Sequence, residues 1–439
     1  MVKEIFIERK EEVENVLGTF LGDEHYDHVI DYDCDVYKPD NTLGGNARSD
    51  SNLLIKFRKN AFPEDMLVDA YEGLRDAAGE SQNRGMAAGP KTGKLNNRSW
   101  FTNEQAEILD AAMNASAGAL TGEDPIENIQ VKYVNQTAQP ETRGRVWLHN
   151  KLKESGFNFN DWVQHAKKMR ADGRANKIAE EAKEILATHI STTTYANPVK
   201  SGIAGYFGRY PRIPMCRPTA YTASKTEEWS QAVPFLEAVS DKFAELLPSR
   251  YRIQKDFTES LDKNFVVGDS AFTTITVNKN FRTAAHRDAG DLQHGFGNMI
   301  CLGNSRYDGA LLIFPAYRVA VDLRPGDAFL FDPHEIHGNT EIIPHSGHVD
   351  DFERITCVLY AREDMGTCES TTIERLRGEF VEKCKHDKDH PYWKPGFNGV
   401  WPGMFFSDEW IDFLYQNGMH EYADTIHSES DENDLSAFM

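Results

Sequence analysis

The stretch FTTITVNKNFRTAAHRDAGDLQHGFGNMICLGN, residues 272–304, is where the texture of this chain changes. Upstream, apolar residues recur at helical spacing, as in Trp229, Val233, Leu236, Val239, Phe243, Leu246 and Leu247. From Phe272 to Arg362 the pattern becomes a series of short apolar runs. These predict strands at 272–277, 283–286, 296–303, 309–315, 317–323, 327–332, 335–341 and 353–362. Turn residues bound them, among them Asn304-Ser305, Asp308-Gly309 and Arg324-Pro325-Gly326-Asp327. So many short strands in so little chain suit a jelly roll, two antiparallel sheets with an open mouth.

Working outward, Leu53–Phe57 reads as a strand and Pro63 opens a helix running to about Ala78. Residues 103–115 and 158–191 have helical spacing, and helical, aromatic sequence returns after Arg362. The expected class is α+β, a double-stranded β-helix core wrapped by helices from both sides. Its expected parts are a mainly helical region at 1–195, the core at 196–365, a helical and aromatic extension at 366–426 and an acidic tail at 427–439. No run of 18 apolar residues occurs, so no membrane span is expected. The start lacks the apolar core of a secretory signal. Six scattered cysteines without a CxxC pair fit a reduced, intracellular setting. Cys384, His386 and His390 lack a second cysteine pair and read as a charged loop.

The chemistry sits inside the strand region. His286 and Asp288 are two apart, so on a strand both side chains share one face. His337 follows after several strands, and Arg354 opens the last one. Two imidazoles and a carboxylate on one face of a metal leave open coordination positions, which suits a non-haem Fe(II) oxygenase. Arg354 can then hold the carboxylate of a 2-oxo acid co-substrate bidentately; a zinc hydrolase with the same ligands would not need it. His334 competes with His337 inside DPHEIHGNT, and the small Gly338 favours His337.

Residues 272–304, DGALLIFPAYRVAVDLRPGDAFLFDPHEIHGNT (308–340) and ERITCVLYARE (353–363) together resemble the TET/JBP oxygenases, closest to phage-type and microbial members. The segment SGIAGYFGRYPRIPMCRPTAYT, starting at Ser201, extends the resemblance upstream. It implies Fe(II), 2-oxoglutarate and O2 chemistry on the 5-methyl group of a pyrimidine base in DNA. His286, Asp288 and His337 would be iron ligands, and Arg354 would bind 2-oxoglutarate. The base would be flipped out of the duplex. The first expectation is 5-methylcytosine to 5-hydroxymethylcytosine, with thymine to 5-hydroxymethyluracil as the close rival and a non-DNA substrate as the alternative.

The net charge of −21 opposes nucleic-acid binding through the average field, so phosphate contacts would need local basic clusters. Candidates are Arg84, Lys91, Lys94 and Arg98, the run Lys167, Lys168, Arg170, Arg174 and Lys177, and Arg209, Arg212 and Arg217. The glycine-rich loop at 80–100 is not a phosphate-binding P-loop. Gly89 and Gly93 enclose three residues instead of four, and Leu95 stands where Ser or Thr is needed. Tyr206, Phe207, Tyr210 and Tyr221 are candidate walls for a flipped base.

Overall fold

The structure, a computed structural model, describes residues 2–39, 48–81, 84–89, 198–209, 213–386 and 407–416. It also describes scattered positions 102, 104, 105, 108, 153–157, 418, 420, 421, 423 and 424. The expected helices at 103–115 and 158–191, the cations Lys91, Lys94, Arg98, Lys167, Lys168, Arg170, Arg174, Lys177 and Arg212, and Tyr210 lie outside the described residues. So do His390 and the acidic tail.

In chain order the strands are β1 (Lys3–Phe6), β2 (His28–Ile30), β3 (Cys34–Tyr37), β4 (Leu53–Arg58), β5 (Glu80–Ser81), β6 (Val199–Phe207), β7 (Arg217–Pro218) and β8 (Thr274–Lys279). They continue as β9 (Gly297–Gly303), β10 (Tyr307–Gly309), β11 (Leu312–Phe314), β12 (Val319–Val321), β13 (Ala328–Phe331), β14 (Gly338–Asn339), β15 (Ile342–Pro344) and β16 (Arg354–Tyr360). The helices are α1 (Glu64–Leu74), α2 (Ala220–Ser224), α3 (Thr226–Leu246), α4 (Pro248–Glu259), α5 (Thr371–His386) and α6 (Ser407–Gln416).

The larger sheet runs β1-β3-β4-β13-β9-β16-β8-β6-β5, with β7 on β6. The smaller runs β14-β11-β12-β2, and β10 pairs β15. The α+β class is as expected. The period-2 rule shows why β16 reads as an uninterrupted apolar run. Ile355, Cys357 and Leu359 join the core under α1 and α3. Thr356, Val358 and Tyr360 point the other way, into a cavity. Met299 and Phe329 of the larger sheet share a second core with Leu312–Phe314 and Val319–Val321 of the smaller. The molecule is therefore layered as helices, large sheet, small sheet, with the cavity between the sheets.

Helix α3 packs through Trp229, Ala232, Phe235, Leu236, Val239 and Phe243, one helical stripe. Acidic Glu227 and Glu228 begin it, where the helix dipole favours negative charge. Helix α1 approaches so closely that a Cβ on Gly73 would lie 2.8 Å from that of Ala232. In the C-terminal helices, Phe380 and Trp410 are buried and meet edge to face at 6.0 Å.

Two findings depart from the sequence reading. The described part of residues 1–195 is not mainly helical, because β1, β3 and β4 extend the large sheet and β2 completes the small one. Their partners are remote in sequence: β4 pairs β13 and β2 pairs β12. Such short strands carry too few residues for a periodic signal and become strands by pairing. Second, Cys216 and Cys368, 152 residues apart, form a disulfide with Cα atoms 5.8 Å apart. The chain leaving β16 returns past the loop before β7, which cysteine spacing does not reveal. Cys34, Cys301 and Cys357 are free and buried.

Candidate active site

The segment carrying His286 is not a ladder strand, as the reading of 283–286 expected. It is held point by point. His286 and His337 exchange backbone hydrogen bonds, both 2.9 Å. The Asn339 N–H donates to Thr283 O, the Ala284 N–H to Ala87 O, and the Ala285 N–H to Thr19 O. The Gly18 N–H donates to Ala285 O, and the Asp288 N–H to Pro333 O. The ligand segment is thus clamped between β14 and the N-terminal loops at 18–19 and 87. Arg287, between the two ligands, turns outward to Glu14.

His286, Asp288 and His337 offer ligand atoms within 4.8 Å of one another, the one such group among the described residues. His286 Nδ1 sits 2.8 Å from Ala284 O, and His337 Nδ1 sits 2.9 Å from Glu335 O. With Nδ1–H donated to a carbonyl, each ring keeps Nε2 as the free lone pair. Both Nε2 atoms face Asp288, at 3.5 Å from Oδ1 for His286 and 3.7 Å from Oδ2 for His337. His337 is 2 % exposed and packs against Phe314 and Phe331. Burial, helped by His286, pushes its pKa down to about 4, so the imidazole is neutral and available. Burial opposes ionisation of Asp288, but the imidazoles of His286 and His337 facing it outweigh burial and hold the carboxyl below its usual range. His334 is half-exposed on Asp332 and outside the cluster. Gly338 explains the choice: a Cβ there would stand 3.0 Å from the backbone of Ala284 and Ala285.

The cavity holds about 590 Å³. Arg354 lines it, 2 % exposed, with Nε buried and unbonded and one long 3.4 Å contact from Nη2 to Ala310 O. A buried guanidinium with donors to spare calls for an anion. Asn339, which lines the same cavity, is fixed by Thr283 Oγ1 at 2.5 Å. Leu312, Met299 and Val358 make apolar wall. The donor set and the under-bonded arginine fit iron and a dicarboxylate co-substrate.

Asp291, Arg362 and Arg84 also line the cavity, and the sequence reading singled out only Arg84. Asp291 has Oδ2 buried without a hydrogen bond. Burial, reinforced by Asp288, holds its carboxyl well above the usual range. Arg362 stacks on Phe207 and reaches Asp364. Arg84 was anticipated only as one of a cluster. Neither Asp291 nor Arg362 had a local signal; an isolated bridge between them brings both to the cavity. Of the expected aromatic walls, Tyr206 packs edge to face on Phe265 and Tyr221 donates to Gly73 O. Neither they nor Phe207 line the cavity. Arg209 is buried in ion pairs with Glu374 and Glu369 and cannot serve phosphate. A carboxylate in the neighbouring helix took it, which no local pattern shows.

Residues 202–363 match the Tet_JBP family, described as the oxygenase domain of the 2OGFeDO superfamily. The chain is 35 % identical over 190 residues to thymine dioxygenase JBP1 of Leishmania braziliensis, covering 43 % of this chain and 22 % of that protein. It is 34 % identical over 191 residues to thymine dioxygenase JBP1 of Trypanosoma brucei brucei, with the same coverages. The chain thus spans about a fifth of the length of these curated relatives. A solved structure of NgTET1 in complex with 5mC DNA aligns with 47 % of this chain and 75 % of its own, at 15 % identity and a TM-score of 0.33, too low to carry an argument. Residues 202–363 are thus similar to a 2-oxoglutarate, iron oxygenase domain, and His286, Asp288, His337 and Arg354 fall inside the matched range.

Proposed function

We propose that this chain is an Fe(II)- and 2-oxoglutarate-dependent dioxygenase that hydroxylates the 5-methyl group of a pyrimidine base in DNA. The observation that carries the reading is the joint placement, in one cavity, of three ligand side chains and a buried arginine with unbonded donors. Iron with 2-oxoglutarate supplies the oxidising power to replace a methyl hydrogen by hydroxyl, using O2.

The protein's own residues do the rest. Ala284 O and Glu335 O hold both imidazoles in the tautomer that presents Nε2. Arg354, buried with donors unbonded, would hold a carboxylate of the co-substrate. Met299, Leu312 and Val358 keep water from the reacting end. A base stacked in a duplex cannot reach this cavity, so the target nucleotide is flipped out. Asp291, kept neutral by burial, offers one donor and one acceptor to the polar edge of that base.

For the base itself, the names of the relatives support thymine, giving 5-hydroxymethyluracil. The rival, 5-methylcytosine, differs at the ring edge that a carboxyl such as Asp291 can meet through either a donor or an acceptor. The test is nucleoside mass spectrometry of DNA containing both bases after incubation with protein, Fe(II), 2-oxoglutarate and ascorbate. 5-Hydroxymethyluracil is the expected product. 5-Hydroxymethylcytosine alone would move the substrate to 5-methylcytosine, and no oxidised nucleoside with continued succinate release would remove DNA as substrate.

A further inference from the structure

Most arginines of the described residues pair with carboxylates: Arg58 with Asp35, Arg209 with Glu374, Arg287 with Glu14, Arg318 with Glu11 and Asp27. Such pairing is expected in a chain of net charge −21. Arg84 and Arg217 are exceptions. Neither has a carboxylate partner among the described residues. Arg84 Nη2 donates to Gly202 O at 2.8 Å, and its Nε is buried without a partner. Arg217 Nη1 donates to Met215 O at 3.2 Å. Both side chains are half-buried, so desolvation raises the demand for an anion.

These two are joined through Arg362. The Phe207 ring carries the Arg217 guanidinium at 5.3 Å and that of Arg362 at 5.4 Å. Arg362 and Arg84 both line the cavity, whereas Arg217, on β7, lies outside it. The three guanidiniums therefore run from the cavity outward; Asp364 is ion-paired with Arg362, and Asp291 and Asp288 line the cavity beside Arg362 and Arg84. An interleaved aromatic fixes the planes of two. Arg84 comes from the N-terminal segment, outside the matched oxygenase range.

We propose that Arg84, Arg362 and Arg217 form a phosphate track that holds the DNA strand beside the flipped nucleotide. The inference rests on the DNA reading above and adds the surface through which an acidic protein grips an acidic polymer. A planar fork of N–H donors matches phosphate oxygens. Charge of this kind along one line supplies local attraction where the average field repels.

The test is fluorescence anisotropy of a labelled thymine-containing duplex over a salt series, with full-length protein. Arg217→Gln is expected to weaken binding roughly tenfold at low salt and to lower the salt slope by about 0.9. Arg84→Gln should do the same, and Arg217→Lys should restore the slope. Melting temperatures check folding; should Arg84→Gln unfold, Arg217→Gln on the outer face carries the test. Wild-type affinity and slope in both Gln variants would overturn the track alone, provided the wild type binds and oxidises DNA. A raised KM for 2-oxoglutarate would also overturn it, because the arginines would then serve the co-substrate. Tighter binding to RNA of the same sequence would overturn the DNA assignment. Absence of any binding by the wild type at low salt would take the DNA reading down with the track.

Discussion

The two ends of the cavity are built on different principles. At the iron end, His286, Asp288, His337 and Arg354 come from within about seventy residues of chain and are fixed by backbone carbonyls and β16. Away from that set, Arg84 and Asp291 line the cavity with buried atoms left unbonded, Arg362 stands on Asp364, and Arg217 lies just outside with one backbone acceptor. The first end is pre-organised around one chemistry. The second is a set of under-satisfied polar groups waiting for an anionic, hydrogen-bonding substrate. Rigid preparation suits a reacting centre, and spare donors suit a ligand that brings its own acceptors.

The comparison breaks most readily at the ligands. Loss of a ligand's hydrogen-bonded support alone costs metal sites about 10–100-fold, so His286→Ala or Asp288→Ala should lower succinate formation by more than roughly a hundredfold. Ordinary turnover in either variant would remove the ligand assignment. Next, Arg354→Gln should raise the KM for 2-oxoglutarate by roughly 10–100-fold while iron binding, followed by calorimetry without co-substrate, persists. An unchanged KM would place the co-substrate carboxylate elsewhere in the cavity.

A smaller effect separates scaffold from ligand. Gly338→Ala puts a methyl against the backbone of Ala284 and Ala285. It should cost about 1–3 kcal/mol of stability and weaken iron binding several-fold by moving His286. Thermal melts and iron titration check both; iron affinity untouched would show that the clamp tolerates displacement.

The smallest effect tests the outer end. Burial holds Asp291 protonated where the unfolded chain has already ionised above about pH 4. The folded state then binds more protons than the unfolded one, so stability falls as pH rises from that point toward the raised pKa. Asp291→Asn mimics the neutral acid and should flatten this slope and raise the melting temperature more at pH 8 than at pH 4. Parallel pH profiles for wild type and variant would mean Asp291 is ionised in the fold.

Much of the iron end was legible. HxD spacing, a distant His followed by Gly, and an Arg at the head of an apolar run are local signals, and each residue landed in one cavity. The period-2 pattern of β16 was equally readable because both of its faces are covered. The strands β1 to β3 were invisible, being three or four residues long, and the partners that tie this segment to the core, β12 for β2 and β13 for β4, lie hundreds of positions away. Arg209 looked like Arg217 in sequence, yet Glu374 neutralises one and no carboxylate among the described residues pairs with the other.

By itself, then, the sequence determined which side chains are candidates to hold a metal together and where an arginine follows, but not the point-by-point clamp that carries His286 in place of the expected strand. Those facts rest on spacing, which backbone geometry converts directly into shared faces. Only the tertiary structure decided that loops at 18–19 and 87 clamp the ligand segment and that Asp291 is buried. It alone also decided which arginines keep free donors. Burial and pairing depend on what distant chain is folded alongside, and no local pattern encodes that.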